Sequence, residues 1–156
     1  MKIEVSTDLA KKLYNTIQTP DSLKEILEEN FGKTNLKNKS WQDIKSFEDA
    51  LEILGRSKEE VYKGTYDPLI QNQLEIETII EAINEKWVPN FADVNQPKWY
   101  IWFSFSGSGF SSSGANCGYD GAHSCIGSRF LFQNKEKTIY FAKNFEKKYS
   151  DYLLSK

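Results

Sequence analysis

One histidine, two cysteines and one methionine are all that 156 residues contain of those types. With His123 as its only imidazole, the chain has a single conventional base for serine-type chemistry. Charge is nearly balanced, 20 basic against 22 acidic residues for a net of -2. No global basic field exists to gather nucleic acid or acidic lipid. No uninterrupted apolar run approaches the roughly 20 residues that span a bilayer, so no membrane partner is expected. Met1 to Val5 carries no apolar signal core, so residence in a cytoplasm is expected, with Cys117 and Cys125 reduced there. There is no internal repeat.

What is present is an ordinary globular composition, 39% hydrophobic and 27% charged, with an aromatic share of 14%. A chain of this length buries roughly 70% of its unfolded surface and needs neither disulfide nor metal for a core. Lys2 to Val5 reads as a short extended lead-in. Ser6 caps a predicted helix to about Ile17, with Leu9, Leu13 and Ile17 on its apolar face. Thr19-Pro20 opens a second helix, with Leu23, Ile26, Leu27 and Phe31 inward and Gly32 as its stop. Residues 33–45 are polar. Ser46 and Ser57 each precede an acid at the third helical position, the capping-box pattern. Asp67-Pro68 opens the clearest helix, with Leu69, Gln73, Ile76, Ile80, Ile83 and Trp87 stepping along one face until Pro89 ends it.

The stretch from Pro97 to Phe132 holds the distinctive chemistry. Trp99, Ile101, Phe103 and Phe105 share one face of a predicted strand. Tyr100, Trp102, Ser104 and Ser106 share the other. Arg129 to Phe132 reads as a second strand, antiparallel to the first. The Ser/Gly stretch between them, Ser106 to Cys125, is expected to be a flexible loop separable from folding. Asn134 caps a last helix, roughly Lys135 to Leu154, whose buried stripe is Ala142, Phe145, Tyr149, Tyr152 and Leu153. These elements make an α+β fold: a mostly helical N-terminal part over about 1–90, a small late antiparallel sheet, and a C-terminal helix. A single domain over 1–156 is expected. A linker within 33–45 is the alternative, although each half would be small for its own core.

Ordered pieces of the later chain resemble a family of uncharacterised proteins encoded by phages and prophages of gut Bacteroidales. They are Ala82-Ile83-Asn84-Glu85-Lys86-Trp87-Val88-Pro89-Asn90-Phe91, then Lys98 to Phe103, Gly109-Phe110, Ile126 to Phe132, and Ala142-Lys143-Asn144-Phe145 with Tyr149. Ser46 to Gly55 is similar to the family's upstream helix, so the resemblance covers about residues 46–154. The chain departs from the pattern at Phe130-Leu131, Tyr140-Phe141 and Asn144. Cys117, His123 and Cys125 fall where the family varies. What the resemblance implies is context: a phage-encoded protein in the cytoplasm of an infected bacterium or in the virion.

Several constellations could carry chemistry. Cys117, Asp120, His123 and Cys125 could offer zinc ligands, but seven residues separate the cysteines where structural zinc prefers closer pairs. A Cys/His nucleophile would need a third orienting group and a firmer platform than a Gly-rich loop. Ser106-Gly107-Ser108-Gly109 lacks the residues of a phosphate cradle. Glu77 and Glu81 are four apart on the long helix, where a solvated face is the ordinary reading. Tyr100, Trp102 and Arg129 could form a stacking platform beside Lys143, Lys147 and Lys148. With Phe110 and Tyr119 from the loop, these eight are the candidate binding residues. The leading expectation is a non-enzymatic interaction protein without cofactor or metal, a virion component or host-directed factor with a phage or host protein as partner. Single-stranded nucleic-acid binding is the second reading. A Cys/His-dependent or zinc-dependent enzyme is the third.

Overall fold

Side-chain caps set where most of the helices begin, and tertiary contacts set where two of them stop. The computed structural model describes residues 5–36, 39–106, 109–118 and 127–154, with the backbone alone at 34, 35, 105, 106, 109–113 and 118. The chain divides into two compact units, Met1–Ser40 and Trp41–Lys156. The division falls within the polar stretch 33–45 that reads as a candidate linker. The predicted lead-in at Lys2 to Val5 lies, except for Val5, outside the described residues.

The first unit holds α1 (Thr7–Tyr14), α2 (Asp21–Phe31) and the single turn α3 (Lys33–Leu36). Ser6 accepts from the Leu9 amide, as its position predicts. The helix stops at Tyr14, short of Ile17, and both Leu9 and Ile17 are exposed. Asn15 accounts for the early stop. Its Nδ2 donates to Lys11 O at 2.7 Å and Leu36 O at 2.8 Å, so one amide closes α1 and ties it to α3. Ala10, Leu27 and Leu36 form the small core, with Leu13, Leu23 and Phe31 packed around them. Ile26 faces solvent instead. Gly32, at φ +78°, ends α2 as expected.

The second unit contains α4 (Phe47–Leu54), α5 (Lys58–Tyr62), α6 (Pro68–Ile83), β1 (Lys98–Ser106), β2 (Gly109–Gly118) and α7 (Lys135–Leu153), with 3-10 turns at Trp41–Asp43 and Ser128–Phe130. Both capping boxes form, Ser46 with Asp49 and Ser57 with Glu60. Asp67 caps α6 with Pro68 in its first turn, and Asn134 caps α7 through the Lys137 amide. The helices and the two-stranded antiparallel sheet make this an α+β protein. No described helix is long and apolar enough to cross a membrane.

Helix α6 runs through the core. Ile76, Ile79, Ile80 and Ile83 meet Phe47, Ala50 and Leu51 of α4, Val61 of α5, Ile101 of β1 and Phe141, Phe145 and Tyr149 of α7 in one buried cluster. Aromatic rings tile its α7 side. Phe141 lies 5.4 Å from Phe132 and 5.2 Å from Phe145, and Phe103 stacks on Tyr149 at 5.1 Å, within the range where ring pairs add to area burial. Trp99 and Phe103 are half-buried at the border of this cluster, and Tyr152 joins it, while Leu153 is exposed.

The sheet differs from the predicted one. β2 lies within the Ser/Gly stretch read as a loop, and pairs with β1 from Lys98↔Gly118 to Ser106↔Gly109. β2 bulges at Ser113, between the pairs Trp102↔Gly114 and Phe103↔Ser112, beside Gly114, whose φ is +133°. Small polar residues give no inward apolar alternation, so pairing with a strongly β-forming partner decided this strand, not its own composition. The predicted strand Arg129 to Phe132 is instead a 3-10 turn ending in one bridge. Trp99 and Phe132 exchange amide-to-carbonyl bonds of 3.1 and 2.7 Å.

Two outcomes test this packing. Ile80→Ala should lower unfolding free energy by about 2–5 kcal/mol in urea titration, the range for truncating a buried aliphatic; unchanged stability would show that α6 presents another face to the core. Tyr62 supplies a pH test. Its hydroxyl bonds Glu75, and burial first, then that bond, pushes its pKa from 10.0 to about 12. The folded state therefore holds this proton more tightly than the unfolded one, and Tyr62 contributes stability that declines as pH rises from 10 to 12. Tyr62→Phe should show a shallower alkaline loss than the parent over that window.

Candidate functional site

A pocket of about 440 Å³ opens beside the C-terminal half of α6. Its walls come from three short sequences: Glu77 to Asn84 on the helix and its cap, Trp87 to Phe91 on the following turn, and Ser128 to Leu131 before α7. The residues between Ile83 and Trp87 shape it. The helix was predicted to continue to Trp87, yet it ends with Asn84 as cap. Asn84 is buried. Its Nδ2 donates to Leu131 O at 2.8 Å, and its Oδ1 accepts from Gln133 N at 3.1 Å. Next come two non-glycine residues in the left-handed region, Glu85 at φ +53° and Lys86 at φ +65°. Each such residue costs about 1–2 kcal/mol relative to a right-handed one, so the surroundings must hold the turn.

Lys137 supplies part of that hold. Its ammonium is buried, 2.6 Å from Glu85 Oε2 and 2.8 Å from Gln133 Oε1, and 5.9 Å from the Trp41 ring centre. The chain after the turn is pinned from beneath by a second buried lysine. Lys98 is 1% exposed. It donates to Asp93 O at 3.1 Å and Gln96 O at 2.9 Å and sits 5.6 Å from the Phe91 ring centre. Asn90 and Asp93 each accept from an amide two residues on, and Gln96 Oε1 accepts from the Asn90 amide. The turn from Trp87 to Phe91 is thus a built wall. It leaves Val88 73% exposed, and Phe91 and Val94 are exposed with it.

The polar side of the pocket consists of ion pairs. Arg129 Nη1 donates to Glu77 Oε2 at 3.0 Å, and Gln73 Nε2 donates to the other oxygen at 2.8 Å. Arg56 grips Glu81 with two bonds of 2.7 and 2.6 Å. Glu77 and Glu81 are therefore not a solvated helix face. They form a ridge with an arginine on each side, separating this pocket from a second of about 390 Å³ lined by Arg56, Glu60 and Val61. Carboxylates held this way suit framework and recognition better than proton transfer.

The residues singled out in the sequence, where described, are dispersed. Tyr100 is 6% exposed, which corrects its reading as an outward stacking residue, whereas Trp102 on the same strand face is 55% exposed. With Tyr100 buried and Arg129 bonded to Glu77, the three do not form one exposed platform. Lys147 is exposed and pairs with Asp151 at 2.8 Å one turn along α7. Lys148 pairs with Glu75, and Lys143 is exposed. Two of the three lysines thus lie against carboxylates, which weakens the positive groove expected of them. Cys117 is half-buried opposite Trp99 in the sheet, with its amide bonded to Asn116 Oδ1 at 2.8 Å. Among the described residues, no three His, Cys, Asp or Glu side chains are grouped to hold a metal ion. Asp120, His123, Cys125 and Tyr119 lie outside the described residues, as does the side chain of Phe110.

Among the candidates whose side chains are described, only Arg129 lines the pocket. The pocket's apolar wall was hidden because Trp87 fits the helical spacing of α6 and read as core. Its signal was the density of Trp87, Val88, Pro89 and Phe91 within a segment that must be a turn. The chain matches no protein-family model, no curated protein and no solved structure.

The hold on this turn can be measured residue by residue. Lys86→Gly should keep or raise the melting temperature, since glycine relieves the left-handed conformation. Asn84→Ala strands the buried Leu131 carbonyl and should cost about 1–3 kcal/mol. Destabilisation by Lys86→Gly as large as by Asn84→Ala would mean that the turn is not strained.

Proposed function

We propose that the protein is a non-enzymatic interaction protein whose contact site is the pocket bounded by α6, the turn from Trp87 to Phe91 and Arg129. The observation that carries this reading is an exposed apolar wall on a firmly held turn. Val88 and Phe91 stand out from backbone tied down by Asn84, Lys137 and Lys98. A large apolar side chain on a mobile loop can fold away, but one held outward keeps its surface in water until a partner covers it. A preformed concave site with an apolar lining and a few converging polar groups is also how proteins bind ligands with little ordering cost. Trp and Arg, both at this pocket, are the side chains that most often dominate contact energies.

The resemblance of residues 46–154 to phage-encoded proteins suggests the setting, an infected bacterial cytoplasm or the virion, and hence a phage or host protein as partner. Protein is preferred to single-stranded nucleic acid because Tyr100 is buried and Lys147 and Lys148 lie against carboxylates.

Affinity capture from nuclease-treated lysate of infected cells tests the site. The parent protein should retain a defined protein, and Val88→Asp should lose it with unchanged circular dichroism. Lys143→Asp, on the exposed face of α7, should retain it. Retention by Val88→Asp with loss in Lys143→Asp would move the contact to α7, and loss on nuclease treatment alone would favour nucleic acid.

A further inference from the structure

Taking the pocket as the contact site, we infer that its ligand is an extended peptide segment in which an aromatic or branched aliphatic side chain is closely followed by a carboxylate. The apolar part follows from the wall. Trp87, Val88, Pro89 and Phe91 line a volume of about 440 Å³, toward the lower end of the size expected for ligand pockets. That space suits an anchor side chain and not a folded surface, while Val88 and Phe91 at the mouth can cover the flanking peptide.

The carboxylate follows from an asymmetry at the polar rim. Arg129 and Glu77 form an ion pair, but their exposures differ sharply, 68% for the arginine side chain and 13% for the glutamate. Glu77 is turned inward and also accepts from Gln73. The charge that an incoming ligand meets at this edge is the guanidinium. Arginine carries five N–H donors in a planar fork, and the bond to Glu77 uses Nη1. The rest of the fork is available for a bidentate carboxylate. The other acid on this wall, Glu81, is already gripped by both Arg56 nitrogens, so its repulsion of an incoming anion is largely cancelled. An apolar slot with an outward guanidinium at its rim is therefore complementary to an apolar residue beside Asp or Glu.

The test uses fluorescent, end-blocked peptides carrying one Phe, Trp or Leu and one Asp at separations of one to three residues, each matched with an Asn version. Fluorescence polarisation with the full chain should show the best Asp peptide binding about tenfold tighter than its Asn twin, the scale of a charge-assisted hydrogen bond. Raising salt should narrow the gap, since the guanidinium is exposed. Arg129→Gln should remove the Asp preference, so that the Asp and Asn peptides bind it alike or the Asn peptide binds it better, because Glu77 then lacks its cation. Arg129→Lys keeps the charge beside Glu77 but loses the fork, and should retain only part of the preference. Val88→Asp should abolish binding of both peptides.

Equal binding of Asp and Asn peptides, or an Asp preference that survives Arg129→Gln, would overturn the inference while leaving the pocket as contact site. If no peptide binds although Val88→Asp loses the captured partner, the ligand is of another chemistry and the inference fails alone. If no peptide binds and Val88→Asp keeps the partner, the pocket reading fails as well. Self-association in sedimentation, lost in Val88→Asp, would assign the pocket to a second copy of this chain and overturn the peptide assignment.

Discussion

The side chain of Asn84 joins the parts of the second unit that no regular element joins. It ends α6, and both ends of its amide are bonded to backbone at Leu131 and Gln133. Those two residues flank Phe132, which is fully buried and bridges Trp99. Asn134, immediately beyond, caps α7. One buried amide thus places the end of the central helix, the outer neighbour of β1 and the start of the last helix within a few residues of each other. A buried amide that satisfies both a carbonyl and an N–H fixes orientation, since any rotation leaves polar groups unpaired at 1–3 kcal/mol each. An apolar residue of similar size would fill the volume without specifying the register.

The two buried lysines extend that arrangement to the surface. Taking an ammonium out of water is expensive, and it is tolerated only where donors find acceptors. Lys137 finds Glu85 and Gln133, one on each side of the Asn84 clamp. Lys98 finds two carbonyls of the chain that follows the turn. Each therefore cross-links segments that carry little regular structure. Lys137 explains how a turn with two left-handed residues persists: the conformation is unfavourable locally, but leaving it would strand that buried ammonium.

The same contacts make the candidate site. The clamp ends α6 one turn early, so Trp87, which would have faced the core on a longer helix, becomes part of a pocket wall. Glu77 and Glu81 of α6 are drawn into ion pairs with Arg129 and Arg56, from elements after and before the helix. The candidate site and the stability of the fold share residues here, so changes at Asn84 or Lys137 would reshape the turn that walls the pocket.

Much of the frame was legible in the sequence because it is local. Ser6, Ser46, Ser57, Asp67 and Asn134 cap helices through atoms two or three residues away, and the isoleucines of α6 repeat at a period set by helical geometry. Those features depend on near neighbours alone. What the tertiary structure decided depends on partners far along the chain. The Ser/Gly stretch became β2 because β1 was there to pair with it, although its own residues carry little strand preference. Tyr100 was buried and Trp102 left exposed on one strand face, a difference that alternation cannot express. Helix α6 stopped at Ile83 because Asn84 met backbone 47 and 49 residues later, a contact whose energy no local pattern encodes. The apolar wall at Trp87 to Phe91 exists only as a consequence of that stop, which is why periodicity assigned Trp87 to the core.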